Sequence, residues 1–337
     1  MIKTNNSSDT QMLEAEFYSS EIKLSYSSLN KLLTAPSVYY KEYILKQKEE
    51  TIAKYLLEGT LIHYLVLDGL DFDSKFIIAP NSLPSDNSIS VIKEVFEIYK
   101  SDNKGEDLQD YSSDILDILN EKKLHARIKD DDKRVAKIAD IKGHDYFNFL
   151  KKQNGRTIID AELLDKCSKR AEIIKADENT RNLIGLDLIH DGTKIGVYNE
   201  IELEAPYNDK FSLKGVLDNL VVDVVNQEII INDFKTTSKS LDRFSESVDY
   251  YNYWLQAVIY IKLAQDFLSD VMLDQWTIKF NFIVFDRYDQ LYSFGVSDNT
   301  LSEWNKKALE VFKAAEYHID NKEFKLPYKY TQNSIML

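Results

Sequence analysis

The sequence predicts an α/β (α+β) fold: a mixed central sheet flanked by helices, with a helical insertion. Three observations point there. Strand-like runs succeed one another at Val197 to Glu204, Phe211 to Val225, Glu228 to Lys235, Trp276 to Phe285 and Gln290 to Val296. A helical stretch from about Tyr250 to Phe267 falls between the third and fourth runs, so hairpin-connected strands give way to a helix and then to more strands. Between about residues 80 and 180 the text is polar, with amphipathic segments around Ser90 to Lys100, Ile115 to Lys123 and Arg134 to Lys152 and another beginning near Asp160. That region reads as a helical insertion or cap.

The 337 residues suffice for one large domain or two modest ones, and a hydrophobic content of 44% can supply a core. We expect a mobile tail over residues 1–20, which are polar and unpatterned, and a single domain over 21–337, with the insertion at about 85–180 and a strand-rich core at about 194–300. From Ser25 the pattern changes. Ser25-Tyr-Ser-Ser-Leu29 looks like a capped helix start, and Pro36 opens a second helical stretch through Tyr39, Tyr40 and Tyr43. A helix from about Ala53 to Leu70 follows, with Leu56, Gly59, His63, Val66 and Leu70 on one face. A last helix runs from about Leu301 to Asn321. No fixed-period repeat is visible, which argues against a solenoid.

Composition excludes several classes. The apolar runs, such as Ile229 to Ile231 and Phe280 to Phe285, are far shorter than the ~20 residues a membrane helix needs. The polar start, Met1 to Thr10, is neither a signal nor a transit peptide, so cytoplasmic residence is expected. A single cysteine, Cys167, excludes an internal disulfide framework and any site needing several thiolates, and reads as a small helical residue. A formal charge of -14 argues against indiscriminate nucleic-acid binding, because a negative surface repels phosphates. Any basic groove must be local. The charge run Lys129 to Lys133 reads as a solvated face or loop.

The chemistry concentrates in two strands. In Ile229-Ile-Ile-Asn-Asp-Phe-Lys235, period-two geometry sends Ile229, Ile231, Asp233 and Lys235 to one face. In Lys214-Gly-Val-Leu-Asp218 and its continuation, Val216, Asp218, Leu220 and Val222 share a face, and the short Val225 to Glu228 turn lets the two strands pair. If register permits, Asp218 meets Asp233, and two adjacent carboxylates call for a cation between them. An isolated Asp-x-Lys at a strand end is common, and alternating charge can simply mark a solvent-facing edge. Here the aspartate ends an apolar triplet that looks buried, where an ionised group needs a reason.

Gly215-Val-Leu-Asp218, then Asp233-Phe-Lys-Thr-Thr237, then Gln256-Ala-Val-Ile-Tyr260 on the next helix, resembles in order and spacing the RecB/RecE-like branch of the PD-(D/E)XK nucleases. That branch has an upstream Gly-Thr-x-x-His signature, matched by Gly59-Thr-Leu-Ile-His63, and Ser25 to Tyr43 looks like its opening motif. The resemblance covers roughly residues 24 to 75 and 155 to 265. It implies a restriction-endonuclease-like fold and a phosphodiester-hydrolysing site. Several relatives carry a cysteine just before the proline of the opening motif, ligating an iron-sulfur cluster. Here Ala35 stands in that place, so no cluster is expected and the likeness moves toward phage RecE-type exonucleases.

The resemblance further implies that Asp218 and Asp233 hold the metal, with His63 as an additional ligand or orienter and the Phe234 backbone carbonyl completing the shell. A lone histidine on an apolar helix face is more often a core residue with a satisfied hydrogen bond. Gly59, one turn earlier, would permit a close approach to the sheet there. Lys235 would position or activate the attacking water and offset charge in the transition state. Mg²⁺ is the default ion and Mn²⁺ the alternative that a histidine allows. Glu200 is the weakest ligand candidate, with Glu202 and Glu204 expected to face solvent. Gln256 and Tyr260 share a helical face and serve either packing or substrate contact; Thr236, Thr237, Lys239 and Arg243 could contact phosphates.

Function then reads as a Mg²⁺-dependent exonuclease on linear double-stranded DNA in phage-type recombination, located in the host cytoplasm if phage-encoded. The implied partners are duplex DNA ends, a single-strand annealing protein and further copies of the chain in a toroidal homo-oligomer. The residues leave three alternatives open: an endonuclease on branched or single-stranded DNA, a catalytically inactive DNA-binding protein with the nuclease fold, and an unrelated α/β binding protein whose carboxylates lie on the surface.

Overall fold

The structure, a computed structural model, describes residues 7–47, 54–68, 72–102, 104–189, 194–270 and 276–332. The chain forms two compact units, one of Met1–Asp68 with Arg170–Leu337 and the other of Gly69–Lys169.

The first unit begins with α1 (Ser7–Ser19), β1 (Lys23–Leu24), α2 (Tyr26–Thr34), α3 (Pro36–Tyr39) and α4 (Lys54–His63), which a π-type turn extends to Asp68. The polar stretch expected as a tail thus contains a helix. Phe17 and Tyr18 of α1 pack on the core, Glu14 accepts from the Tyr40 hydroxyl, and Glu16 pairs with Lys46 at 2.7 Å. Ser25 caps α2 reciprocally with Ser28, and Pro36 occupies the first turn of α3, where its missing N–H costs nothing. Of the face expected from Leu56 to Leu70, Val66 is buried and His63 partly so; Ala53, Leu70 and the side chain of Leu56 lie outside the described residues.

In the second unit, α5 (Phe72–Lys75) leads into β2 (Phe76–Ile78), followed by α6 (Asp86–Ser101), α7 (Ser112–Glu121), α8 (Asp131–Ala136), α9 (Ile141–Gln153) and β3 (Thr157–Ile159). β2 and β3 pair in parallel, and Val91, Val95, Tyr111, Ile115 and Phe147 anchor a separate apolar core.

The chain returns to the first unit along α10 (Ala161–Ala176) and continues through α11 (Glu178–Leu183), β4 (Ile195–Pro206), β5 (Ser212–Asp223), β6 (Glu228–Thr236), α12 (Phe244–Tyr250), α13 (Tyr253–Phe267), β7 (Thr277–Phe285), β8 (Leu291–Gly295), α14 (Asp298–Asn321) and α15 (Lys329–Gln332). Six strands form a mixed sheet in the order β1-β5-β6-β7-β8, with β4 also on β5. β6 and β7 are parallel neighbours, which requires a crossover, and α12 with α13 supplies it. From Trp254 to Ala264 nearly every α13 side chain is buried, so this helix is apolar on all sides as a central core helix must be. No helix among the described residues is long and apolar enough to cross a membrane.

One expectation about β5 needs correction. Val216 is exposed while Leu220 and Val222 are buried, and Leu217 and Leu220 belong to the same core, so the alternation of faces slips by one at Asp218 and Asn219. β4 slips at the same rung: Ile201 and Tyr198 both pack on that core.

Candidate active site

β5 and β6 pair antiparallel through Asn219↔Asn232, a register that sets Asp218 across from Asp233 one step further on. The paired ladder ends at the asparagines. Where the strands part, the Asp218 carboxylate accepts the Phe234 amide hydrogen at 2.8 Å, so the side chain occupies the place of a lost ladder bond. Asp218 is thereby fixed in direction as well as in position.

His63, at the end of α4, stands between two carboxylates, with Nδ1 3.0 Å from Glu200 and Nε2 3.6 Å from Asp218. Burial works against a charged imidazole here, but Asp218 and then Glu200 outweigh it and raise the pKa above the ordinary 6.5. Glu200 reaches this position from a left-handed backbone, φ 48, in the middle of β4. A non-glycine residue rarely holds that conformation within a strand. One ligand atom from each of His63, Glu200 and Asp218 lies within 4.8 Å of the others, a spacing and donor set suited to a divalent cation.

Asp233 is fully buried. Its carboxylate makes an ion pair with Lys235, yet neither oxygen accepts a hydrogen bond of good geometry among the described residues. Burial is the main cause that pushes its pKa up to about 6; Lys235 opposes this and Asp218 adds to it. A buried carboxylate with unused acceptor capacity beside Asp218, itself one of the trio with His63 and Glu200, is the condition a bound cation would relieve, so the residues fit such a group. The Lys235 ammonium also lies 4.8 Å from the ring centroid of Tyr253, at the start of α13.

The remaining predicted residues divide. Gln256 and Tyr260 are buried and bonded to each other at 2.8 Å; Tyr260 titrates well above 10, chiefly because it is buried and then because Asp218 and Asp233 are near. Gly215 lets this pair approach: a Cβ there would sit 3.0 Å from Tyr260 and from Leu263. Thr237 serves the turn after β6, donating its amide to the Phe285 carbonyl and accepting from the Lys239 amide. Thr236 lines a small pocket with Gly59, His63, Phe234 and Lys235. A Cβ at Gly59 would meet nothing within 4 Å, so this glycine leaves open space instead of permitting the close approach expected of it. Lys239 and Arg243, expected on phosphates, are both engaged by Glu246. Glu202 and Glu204 are exposed, as anticipated, with Glu204 held by Lys23.

Sequence reasoning missed a rung of four asparagines on the strand positions adjoining the acids. Asn199, Asn219, Asn232 and Asn281 are register partners across β4, β5, β6 and β7. Asn219 donates to Asn199 at 2.8 Å, Asn232 to Asn219 at 2.7 Å and Asn281 to Asn232 at 3.0 Å, while the carbonyls of Ile184 and Leu183 accept from Asn219 and Asn232. The signal was present as mirrored dipeptides: Asp218-Asn219 read forward and Asn232-Asp233 read backward. An antiparallel register that opposes the aspartates also opposes the asparagines.

A family model described as the PD-(D/E)XK nuclease superfamily matches residues 23–274. Among solved structures, that of a provisionally assigned exonuclease from Eubacterium rectale aligns over 100% of this chain and 94% of its own, at 12% sequence identity and a TM-score of 0.46. No curated protein matches the sequence.

Proposed function

The chain belongs to the PD-(D/E)XK nuclease superfamily, and on that premise we propose that it is a divalent-metal-dependent deoxyribonuclease of the RecE-like branch, acting as an exonuclease on linear duplex DNA. The observation that carries the catalytic part is the buried Asp233, short of hydrogen bonds, beside the His63, Glu200 and Asp218 trio and paired with Lys235. The duplex-end preference rests on the motif resemblance.

In this reading Asp218, Asp233, His63 and Glu200 hold the ion, with the Phe234 carbonyl as a further donor. The chemistry such an ion supplies is a water of lowered pKa and a polarised phosphate, which suits Mg²⁺ and, given the imidazole, Mn²⁺. The Phe234 amide keeps one Asp218 oxygen aimed. Lys235 Nζ, beside Asp233, orients the attacking water and offsets negative charge building on the phosphate. Tyr260, protonated at any working pH, presents a hydroxyl proton near the acids while its oxygen accepts from Gln256.

The test is incubation with linear and covalently closed DNA, with Mg²⁺, Mn²⁺ or chelator, for the wild type and for Asp233→Ala. Release of nucleotides from linear DNA alone is expected, lost with chelator and reduced by about 10²- to 10⁴-fold in the variant. Cleavage that ignores chelator or survives Asp233→Ala removes the mechanism, and efficient nicking of closed circles replaces the exonuclease reading by an endonuclease.

A further inference from the structure

Two tyrosines at the turn between α12 and α13 are conspicuously open to solvent. Tyr250 is 77% and Tyr251 47% exposed, and their rings meet edge to face at 4.9 Å. The turn that presents them is fixed. The Tyr251 carbonyl accepts from the Tyr26 hydroxyl and from Asn30 Nδ2, both on α2. Asn252 holds a left-handed backbone, φ 56, and its side chain donates to Asn30 at 2.8 Å and accepts from Trp254 Nε1 at 3.0 Å. Two adjoining exposed rings on a fixed turn offer an aromatic surface for a flat ligand to cover.

The rings also connect to the chemistry. Tyr251 stacks on Tyr253 at 5.4 Å and 24°, and Tyr253 faces the Lys235 ammonium at 4.8 Å. A row of rings thus leads from solvent to the candidate catalytic lysine. Its surroundings select the uncharged part of a nucleotide. Asp242, Glu246 and Asp249 are exposed on the segment that leads into the turn, Lys239 and Arg243 of that segment are already paired with Glu246, and Lys307 lies over the ring of Trp254. Phosphates gain little there, whereas the face of a base gains by stacking on an aromatic ring whatever its sequence.

We propose that Tyr250 and Tyr251 form a stacking platform for an unpaired base of the strand being cut, adjoining the scissile phosphate. The proposal rests on the nuclease reading and adds how the substrate is held: a nucleotide at a duplex end must leave its partner to bring its phosphate to Lys235, and stacking offsets the lost base-stack energy. It also supplies affinity that a chain of charge -14 cannot draw from phosphate contacts alone.

The test uses the full chain with short linear duplexes carrying one unpaired 2-aminopurine nucleotide at the 5′ or the 3′ end of one strand, with Ca²⁺ replacing Mg²⁺ for binding and Mn²⁺ for turnover. Wild type should quench the fluorophore on binding. Tyr250→Ser with Tyr251→Ser should lose the quenching and raise KM about tenfold with kcat little changed; Tyr250→Phe with Tyr251→Phe should restore both. Tyr250→Ser alone, at the more exposed ring, gives a smaller change of the same kind and guards against misfolding of the double variant. Quenching and KM unchanged by the serine substitutions overturn the platform. Cleavage without quenching removes the platform alone, and quenching without any cleavage removes the nuclease reading alone.

Discussion

Replacing Asn232 by alanine would cut the asparagine rung at its centre. The side chain is fully buried and makes three hydrogen bonds: its amide donates to the Leu183 carbonyl at 2.8 Å and to Asn219 at 2.7 Å, and its oxygen accepts from Asn281 at 3.0 Å. Each such bond contributes about 1 kcal/mol net, and each buried group stripped of its partner can cost about 1 to 3 kcal/mol. Asn219 is itself fully buried and Asn281 nearly so, which leaves water little access to repair them. We therefore expect a loss of about 3 to 5 kcal/mol. The assay is urea unfolding, read as a lowered midpoint with an unchanged slope. The control is Asn199→Ala at the exposed end of the rung, which removes one bond to Asn219, whose amide keeps the Ile184 carbonyl, and one to the Leu67 carbonyl; it should cost about 1 to 2 kcal/mol. If Asn232→Ala costs no more than the control, the rung does not hold the strands together.

Mn²⁺ at about a hundred times its dissociation constant should stabilise the wild type by about 2.7 kcal/mol, or roughly 4 °C by calorimetry for a chain of 337 residues. His63→Ala combined with Asp218→Asn should abolish the shift, and a wild type indifferent to Mn²⁺ would contradict the metal assignment. Gly215→Ala should destabilise by about 1 to 3 kcal/mol, because the new methyl would press on Tyr260 and Leu263; measured by urea unfolding in a Leu263→Ala background, the same substitution should cost less. His318 is fully buried, its Nδ1 donates to the Glu323 carbonyl and its Nε2 has no hydrogen-bond partner among the described residues, so burial holds its pKa below 6.5. As pH falls through that value the unfolded chain takes up a proton that the folded chain refuses, and stability declines. His318→Phe should flatten the decline in urea midpoints between about pH 7 and pH 5.5, and an identical slope in both proteins would refute the attribution.

The sheet and its acids were legible because they obey short-range rules. An apolar triplet followed by Asp233 and Lys235 reads as a buried strand with a charged end, and the brief turn before Glu228 leaves few registers in which β5 and β6 can pair. His63 was visible only through a motif, since nothing in its own helix reveals that Glu200 lies 3.0 Å away after a separation of 137 residues. Long-range folding decided the rest. Residues 7–19 carry no strong amphipathic pattern, yet Phe17 and Tyr18 find the core and make a helix of them. The slip of faces at Asp218 escaped period-two reasoning because it depends on the backbone of Glu200 one strand away. By contrast, the engagement of Arg243 by Glu246 was within reach, as three-residue spacing suffices to foresee it.

Glu200 sets two selections against each other. Its φ of 48 suits glycine, and relief of that strain is worth about 1 kcal/mol or more, while the carboxylate beside His63 can come only from an acidic side chain. A library screened for heat resistance would drift to glycine at this position, and one screened for turnover would retain the acid. Under the proposed metal role, position 200 is where thermal robustness and catalytic competence demand different amino acids.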